Sequence, residues 1–334
     1  MRRLLLFGLI LPVVFGCASS AQAHQTGTTL NLVAYSTPKP VLAKLIYRWT
    51  HSSAGKGVSF TQSYGPSGAQ ARAIVAGQPA DIAFLSTGLD IDSIADAGVA
   101  SKSWNHAPYG GIAANSVVAF VVRKGNPKHV HTWKDLVKTG VQVVTPNPFS
   151  SGSAKWNVLA AYGAMRKLGL GDHKALQFVT KLFKHVVSQD SSGSNAMQTF
   201  LAGQGDVLIT YESEAYTALA AGAHIQLVVP QQTMLIQLPM VPLKGSPSQA
   251  KKFIAYAHTR TAQAIFAKYG YRPVVASVLK APALKTWRHR YALGKRTVFK
   301  ITSPLFGGWR KANRVWFDPQ TGRMVGIERA VGGG

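Results

Sequence analysis

Asn147-Pro148-Phe149-Ser150-Ser151-Gly152-Ser153-Ala154-Lys155-Trp156-Asn157 delivers small hydrogen-bonding residues to the start of a helix. Upstream, Gln142 to Thr145 reads as a strand ending in the Pro146 and Pro148 turn; downstream, Val158, Leu159, Tyr162 and Met165 repeat at helical spacing. Ser151, Gly152 and Ser153 then fall where a helix leaves its first N–H groups unpaired and its dipole positive, which is one way a protein holds an oxyanion.

Outward from this stretch the same alternation recurs. Strand-like runs are predicted at Thr29 to Tyr35, Val58 to Tyr64, Asp81 to Ser86, Val117 to Arg123, Gln142 to Thr145, Asp206 to Tyr211 and His224 to Val229. Helical periodicity covers Lys39 to His51, Gln70 to Ala76, Ala154 to Leu168, Leu176 to Val186, Asn195 to Ala202 and Ser248 to Tyr269. Strands alternating with helices predict an α/β chain of open sheets with helices on both faces, whose ligands bind at the carboxyl ends of strands. Four strand-to-helix junctions end in small or polar residues: Tyr35 to Pro38, Gln62 to Gly68, Ser150 to Ser153 and Asp190 to Ser194. One such junction is ordinarily a helix cap. Four in one chain point to a shared ligand.

The first residues have the layout of an export signal: Arg2 and Arg3, an apolar run from Leu4 to Phe15, then Ala21-Gln22-Ala23. Cleavage after Ala23 is favoured over lipidation at Cys17, because Phe15 is bulky for a lipoprotein box. Cys17 is the only cysteine, so that cleavage leaves a chain without disulfides, thiolate metal sites or cysteine catalysis. The expected location is outside the cytoplasm. Among 334 residues, 37 Lys and Arg stand against 12 Asp and Glu, a net charge of +25. The basic residues are scattered, with no Lys/Arg block and no aromatic-basic signature, which argues against nucleic acid. A basic field attracts anions, and a shortage of carboxylates suits a chain that faces acid.

The segments Gln62-Ser63-x-Gly65-x-Ser67-Gly68-x-Gln70-Ala71, Phe120 to Pro127, Asn147-Pro148-x-Ser150-Ser151-Gly152-x-Ala154, Gly205 to Ile209, Tyr271-Arg272-Pro273 and Phe306 to Trp309 carry a resemblance. Through them the chain resembles the periplasmic sulfate-binding and thiosulfate-binding proteins that serve ABC importers. The resemblance implies a type II periplasmic binding protein fold, two α/β lobes joined by crossover strands with a ligand cleft between them. The divisions it suggests are a signal peptide at 1–23, one lobe at 24–113 plus 229–283, a second at 114–228, and a tail at 284–334 packing across both. It further implies a monomer with sulfate or thiosulfate as ligand, the importer's permease subunits as partners, and no cofactor. Ser67 and Ser151 would offer hydroxyls, Ser36, Gly152, Ser153 and Gly193 main-chain N–H groups, and Tyr211 would occupy the aromatic-donor position.

Tyr211 departs from the family, where Trp is usual; an indole only donates, whereas a phenol donates or accepts. Tyrosine at a comparable place resembles molybdate-binding relatives, so molybdate or tungstate is the alternative ligand. Phe149, Lys155 and Ser194 also replace a usual Lys, Arg and Arg. A different class of reading is a basic surface that binds anionic polymers or lipids. Enzyme readings find little support. Gly65-Pro66-Ser67-Gly68 lacks a nucleophile elbow, and His129-x-His131 has no completing ligands. Glu212 and Glu214 are expected as solvated acids at a helix start, pointing to different faces.

Overall fold

The computed structural model describes residues 27–332; the expected leader, with Cys17 and the cleavage site, lies outside them. The chain begins with β1 (Thr28–Tyr35), α1 (Lys39–Thr50), β2 (Val58–Gly65), α2 (Ser67–Val75), β3 (Ile82–Phe84) and α3 (Gly88–Asp96). β1 lies between β2 and β3, parallel to both. The long strand β4 (Ile112–Arg123) follows. Then come β5 (Val143–Pro146), α4 (Gly152–Lys167), α5 (Asp172–Lys184), β6 (Val186–Asp190), α6 (Gly193–Leu201), β7 (Val207–Tyr211), α7 (Glu212–Ala220) and β8 (Ile225–Val228). β5 lies between β6 and β7, again parallel to both.

Two three-stranded parallel sets therefore form the cores of two lobes, and β4 and β9 (Gln232–Pro242) join them. β9 runs antiparallel to β3 through Met240 to Pro242 and to β4 through Leu235 to Pro239. β4 pairs with β9 over Ile112 to Val117, then with β7 and β8 beyond Val118. Its run Val117-Val118-Ala119-Phe120-Val121-Val122 is buried throughout, as expected of a strand covered on both faces. The division suggested at 113 and 114 falls inside this strand.

The sequence signals missed β9 because Pro239 and Pro242 interrupt it, and a proline removes a ladder donor. Pro239 is accommodated opposite Ile112, where the β4 register shifts. The helical stretch from Ser248 is two helices, α8 (Ser248–Ala257) and α9 (Arg260–Lys268), because Thr259 turns its hydroxyl to Ala262 N–H and starts a new helix.

The remainder is β10 (Arg272–Pro273), α10 (Lys285–Arg290), β11 (Thr297–Phe299), α11 (Trp309–Ala312) and α12 (Arg323–Val331). This tail touches both lobes. Arg310 forms a two-pronged pair with Asp96 at the end of α3, both contacts 2.9 Å. Arg323 forms another with Asp172 on α5, at 2.8 and 2.9 Å. Between them the Trp309 ring packs edge-on against Trp156 of α4, 4.5 Å between centroids. Among the described residues, no helix is long and apolar enough to cross a membrane.

Candidate anion-binding site

The carboxyl ends of both parallel sets face one another, as the open-sheet rule requires. Between them lies a small hollow of about 10 Å³, far below the roughly 300–1,000 Å³ of sites for drug-sized ligands. Ser36 and Thr37 line it ahead of α1, Gly65 to Ser67 at the start of α2, and Ser86 beyond β3. From the other lobe come Ser151 and Ser153 at the start of α4 and Ser192 and Gly193 at the start of α6. Every lining residue is uncharged. All four of the small-residue junctions thus meet at one place.

Local geometry leaves donors free there. The first bond of α2 runs from Gln70 N–H to Pro66 carbonyl, so the N–H groups of Ser67, Gly68 and Ala69 have no intrahelical acceptor. In α6 Ala196 N–H bonds Ser192 carbonyl and Asn195 N–H bonds the Ser192 hydroxyl, leaving Gly193 and Ser194. Ser151 is extended at the start of α4, its N–H turned back to Asn147 carbonyl at 2.9 Å, with Gly152 the first helical residue. Ser151 and Ser153 hydroxyls lie 3.0 Å apart.

Of the residues singled out from sequence, Ser36, Ser67, Ser151, Ser153 and Gly193 line the hollow. Gly152 sits beside it, packed so closely that a Cβ would come within 2.0 Å of Ser86 Oγ and 2.8 Å of Thr87 Cγ2. Tyr211 stands behind the lining and is fully buried. Burial holds the pKa of its hydroxyl well above the ordinary phenol value, with Ser86 opposing and Glu214, Asp90 and Tyr271 adding to the rise.

The role expected of the Ser67 hydroxyl needs correction. It donates to Asp90 Oδ2 at 2.6 Å and accepts from Ser86 N–H at 2.9 Å. A hydroxyl has one hydrogen, so this one is spent on the carboxylate, and what Ser67 leaves free is its helix-start N–H. Thr87 also donates to Asp90, at 2.8 Å. Close by, burial pushes the Lys155 amine down; Asp90 opposes that shift and Arg72 adds to it.

Glu212 and Glu214 are not solvated. Both are buried, and as expected they diverge: Glu212 meets Arg272 at 2.7 and 3.0 Å, while Glu214 accepts from the Thr210 hydroxyl. Among the described residues no cluster of His, Cys, Asp or Glu could hold a metal ion.

Sequence reasoning missed Ser86, which the strand-end rule could have found, since it follows β3 as Ser36 follows β1. It also did not foresee that Tyr35, Thr37 and Ser213, like Ser86 and Tyr211, carry buried hydroxyls without a protein partner. An unpaired buried polar group costs about 1–3 kcal/mol. Tyr35, Thr37 and Ser86 all line the hollow.

Residues 30–272 match the family described as bacterial extracellular solute-binding protein. The chain is 38% identical over 279 residues to the sulfate-binding protein of Escherichia coli (strain K12), spanning 79% of this chain and 81% of that one. The chain belongs to the bacterial extracellular solute-binding proteins, within their sulfate- and thiosulfate-binding family. It is also 33% identical over 321 residues to the thiosulfate-binding protein of Pseudomonas aeruginosa, 90% of this chain and 92% of the relative. The solved sulfate-binding protein SubI from Mycobacterium tuberculosis H37Rv superposes with a TM-score of 0.81 at 37% identity, covering 87% of this chain and all of that one. The two lobes, crossover strands and intervening cleft are accordingly those of the type II periplasmic binding protein fold.

Proposed function

We propose that this chain captures sulfate or thiosulfate in the periplasm and hands it to an ABC importer, acting as a binding protein without catalysis and without a cofactor. The observation that carries the reading is the convergence of four helix starts on one small hollow with an uncharged lining. A dianion is costly to bury unless pre-oriented donors meet each oxygen, and helix-start amides do so without a buried counter-charge. The proposed ligand donors are the N–H groups of Ser36, Ser67, Gly152, Ser153 and Gly193 and the hydroxyl of Ser151, with Tyr211 behind them. The unpartnered hydroxyls of Thr37 and Ser86 belong to the same set, since an acceptor-only guest would satisfy them.

The lobes we assign are 24–113 with 229–283, and 114–228, with the tail from 284 bridging them and residues 1–23 serving as the export signal. The protein acts as a monomer, and its closed form is what the permease subunits recognise. Donor-only surroundings disfavour an anion that carries a proton, because that proton meets no acceptor. Sulfate is therefore preferred over hydrogen phosphate. Tyr211 favours one second reading, molybdate or tungstate in the same site.

Calorimetry of the ligand-stripped protein against sulfate, thiosulfate, molybdate and phosphate at fixed ionic strength tests the reading. Saturable one-to-one binding of sulfate or thiosulfate is expected. Heats only with polyanions or anionic vesicles, collapsing with salt, would replace it with a basic surface binder.

A further inference from the structure

The hollow has an acid at its back that the donor scheme does not use. A Cβ built on Gly193 would stand 2.9 Å from Ser153 Oγ, 3.3 Å from Thr37 Cγ2 and 3.3 Å from Glu214 Oε2. Gly193, Ser153 and Thr37 line the hollow, so the Glu214 carboxyl lies directly behind that lining. We propose that Glu214 serves the anion site as a neutral carboxylic acid, so that capture of a fully ionised oxyanion is coupled to a proton held on this side chain. This deepens the proposed function and rests on it.

The contrast with Glu212 carries the inference. Two residues away on α7, Glu212 is clasped by the Arg272 guanidinium through both carboxylate oxygens. Glu214 is buried as well, yet its one hydrogen-bonding partner is the Thr210 hydroxyl at the end of β7. Every element packed against it supplies neutral groups. Tyr211 faces it from β7 and Tyr271 from beyond α9, both phenols that burial keeps protonated. Ser153 comes from α4, Gly193 from α6 and Thr37 from the approach to α1. Asp90 of α3 acts on the Tyr211 phenol as Glu214 does, raising its pKa.

Burial raises the Glu214 pKa to about 7, with Thr210 opposing. The group therefore changes charge near neutrality before any ligand arrives. A dianion arriving at the adjacent donors repels the carboxylate and raises its proton affinity further, so binding and protonation favour each other. The sign follows: below pH 7 the acid form is in place and affinity is flat, and above it each capture must draw one proton from solvent onto Glu214. Kd should then rise toward tenfold per pH unit, up to the limit set by the ligand-bound pKa.

The test is sulfate calorimetry on the full chain from pH 5.5 to 9, in pairs of buffers with different ionisation heats. At pH 8 the wild-type protein should take up close to one proton per sulfate, and Kd at pH 9 should exceed that at pH 6 by at least tenfold. In Glu214→Gln, which imitates the neutral acid, proton uptake and pH slope should vanish while binding at pH 6 stays within about threefold. If Glu214→Gln fails to fold, the wild-type proton count alone decides. Sulfate binding with a flat Kd and no proton uptake overturns this inference and leaves the functional reading intact. An equal slope in wild type and Glu214→Gln overturns it as well. No binding of any small oxyanion at any pH overturns both.

Discussion

The indole N–H of Trp156, on α4 of one lobe, donates to the carbonyl of Ser86, beyond β3 of the other, at 2.8 Å. Both groups are buried, and the bond joins the two lobes close to Ser67 and Gly152. It is expected to hold the two lobes together when they close on a ligand. Trp156→Phe leaves the Ser86 carbonyl without its donor, a loss of about 1–3 kcal/mol when the group stays buried. Sulfate affinity should fall about 5- to 150-fold, chiefly through faster release, which stopped-flow fluorescence can follow.

Gly152 meets the same lobe boundary through space. With Ser86 Oγ 2.0 Å from where a Cβ would stand, Gly152→Ala cannot close, although alanine suits the first turn of a helix. The ligand-free melting temperature should change by no more than a few degrees. The shift that sulfate produces, worth roughly 2.7 kcal/mol at 100 times Kd in the wild type, should disappear. A normal ligand-induced shift in this variant would mean the lobes close differently.

Two hydroxyls separate ligand contact from packing. Ser151→Ala should weaken sulfate by about 1–3 kcal/mol, the loss of a donor to a charged group, with little effect on folding. Tyr211→Phe removes a buried hydroxyl that has no protein partner, so unfolding stability should hold or rise by about 1 kcal/mol. If the phenol donates to the anion, affinity falls in the same variant; calorimetry and urea titration together read both.

Arg272→Ala should be the most damaging of these changes to the fold. It strands Glu212, which is fully buried, and breaking a buried pair typically costs 3–5 kcal/mol. Burial raises the Glu212 pKa while Arg272 holds it down, so without the arginine the native state binds the proton more tightly than the unfolded chain. The deficit should therefore shrink toward pH 4 and grow as pH rises, as urea midpoints across that range will show.

Glu214 gives stability its own pH dependence. Its pKa is about 7 in the fold, against roughly 4.3 unfolded. The native state then gains protons first, and stability should increase as pH falls from 8 toward 5, by on the order of 3 kcal/mol before other groups intervene. Asp172 works oppositely, its pKa lowered first by the Arg323 contact and then by Tyr162. Its contribution is present above about pH 4 and is lost as pH drops through the folded value, a small term because the side chain is half exposed. Comparison of wild type with Glu214→Gln at pH 5 and pH 8 isolates the Glu214 share.

Much of the fold was legible because it is written locally. Thr28–Tyr35, Val58–Gly65 and Val207–Tyr211 follow from β-rich runs, and Gly152–Lys167 from helical spacing, since periodicity reports which face each element buries. The four donor-bearing junctions were legible for the same reason: a helix start and its small residues are neighbours in sequence. Strand β9 was not, because its prolines sit at positions whose missing donors matter only once β3 and β4 are known. Nor was the commitment of the Ser67 hydroxyl to Asp90, which comes from α3, or the closeness of Gly152 to Ser86.

Sequence alone determined that helix starts with free N–H groups exist, that they follow strands, and that Arg272, Glu212 and Glu214 are available. Only the tertiary structure decided that these starts share one hollow, that Trp156 reaches across to the Ser86 carbonyl, and that Glu212 receives a cation while Glu214 receives none. The reason is physical. Hydrogen-bonding capacity and helix dipoles belong to residues near in the chain, whereas desolvation and charge pairing depend on which distant segments pack against them.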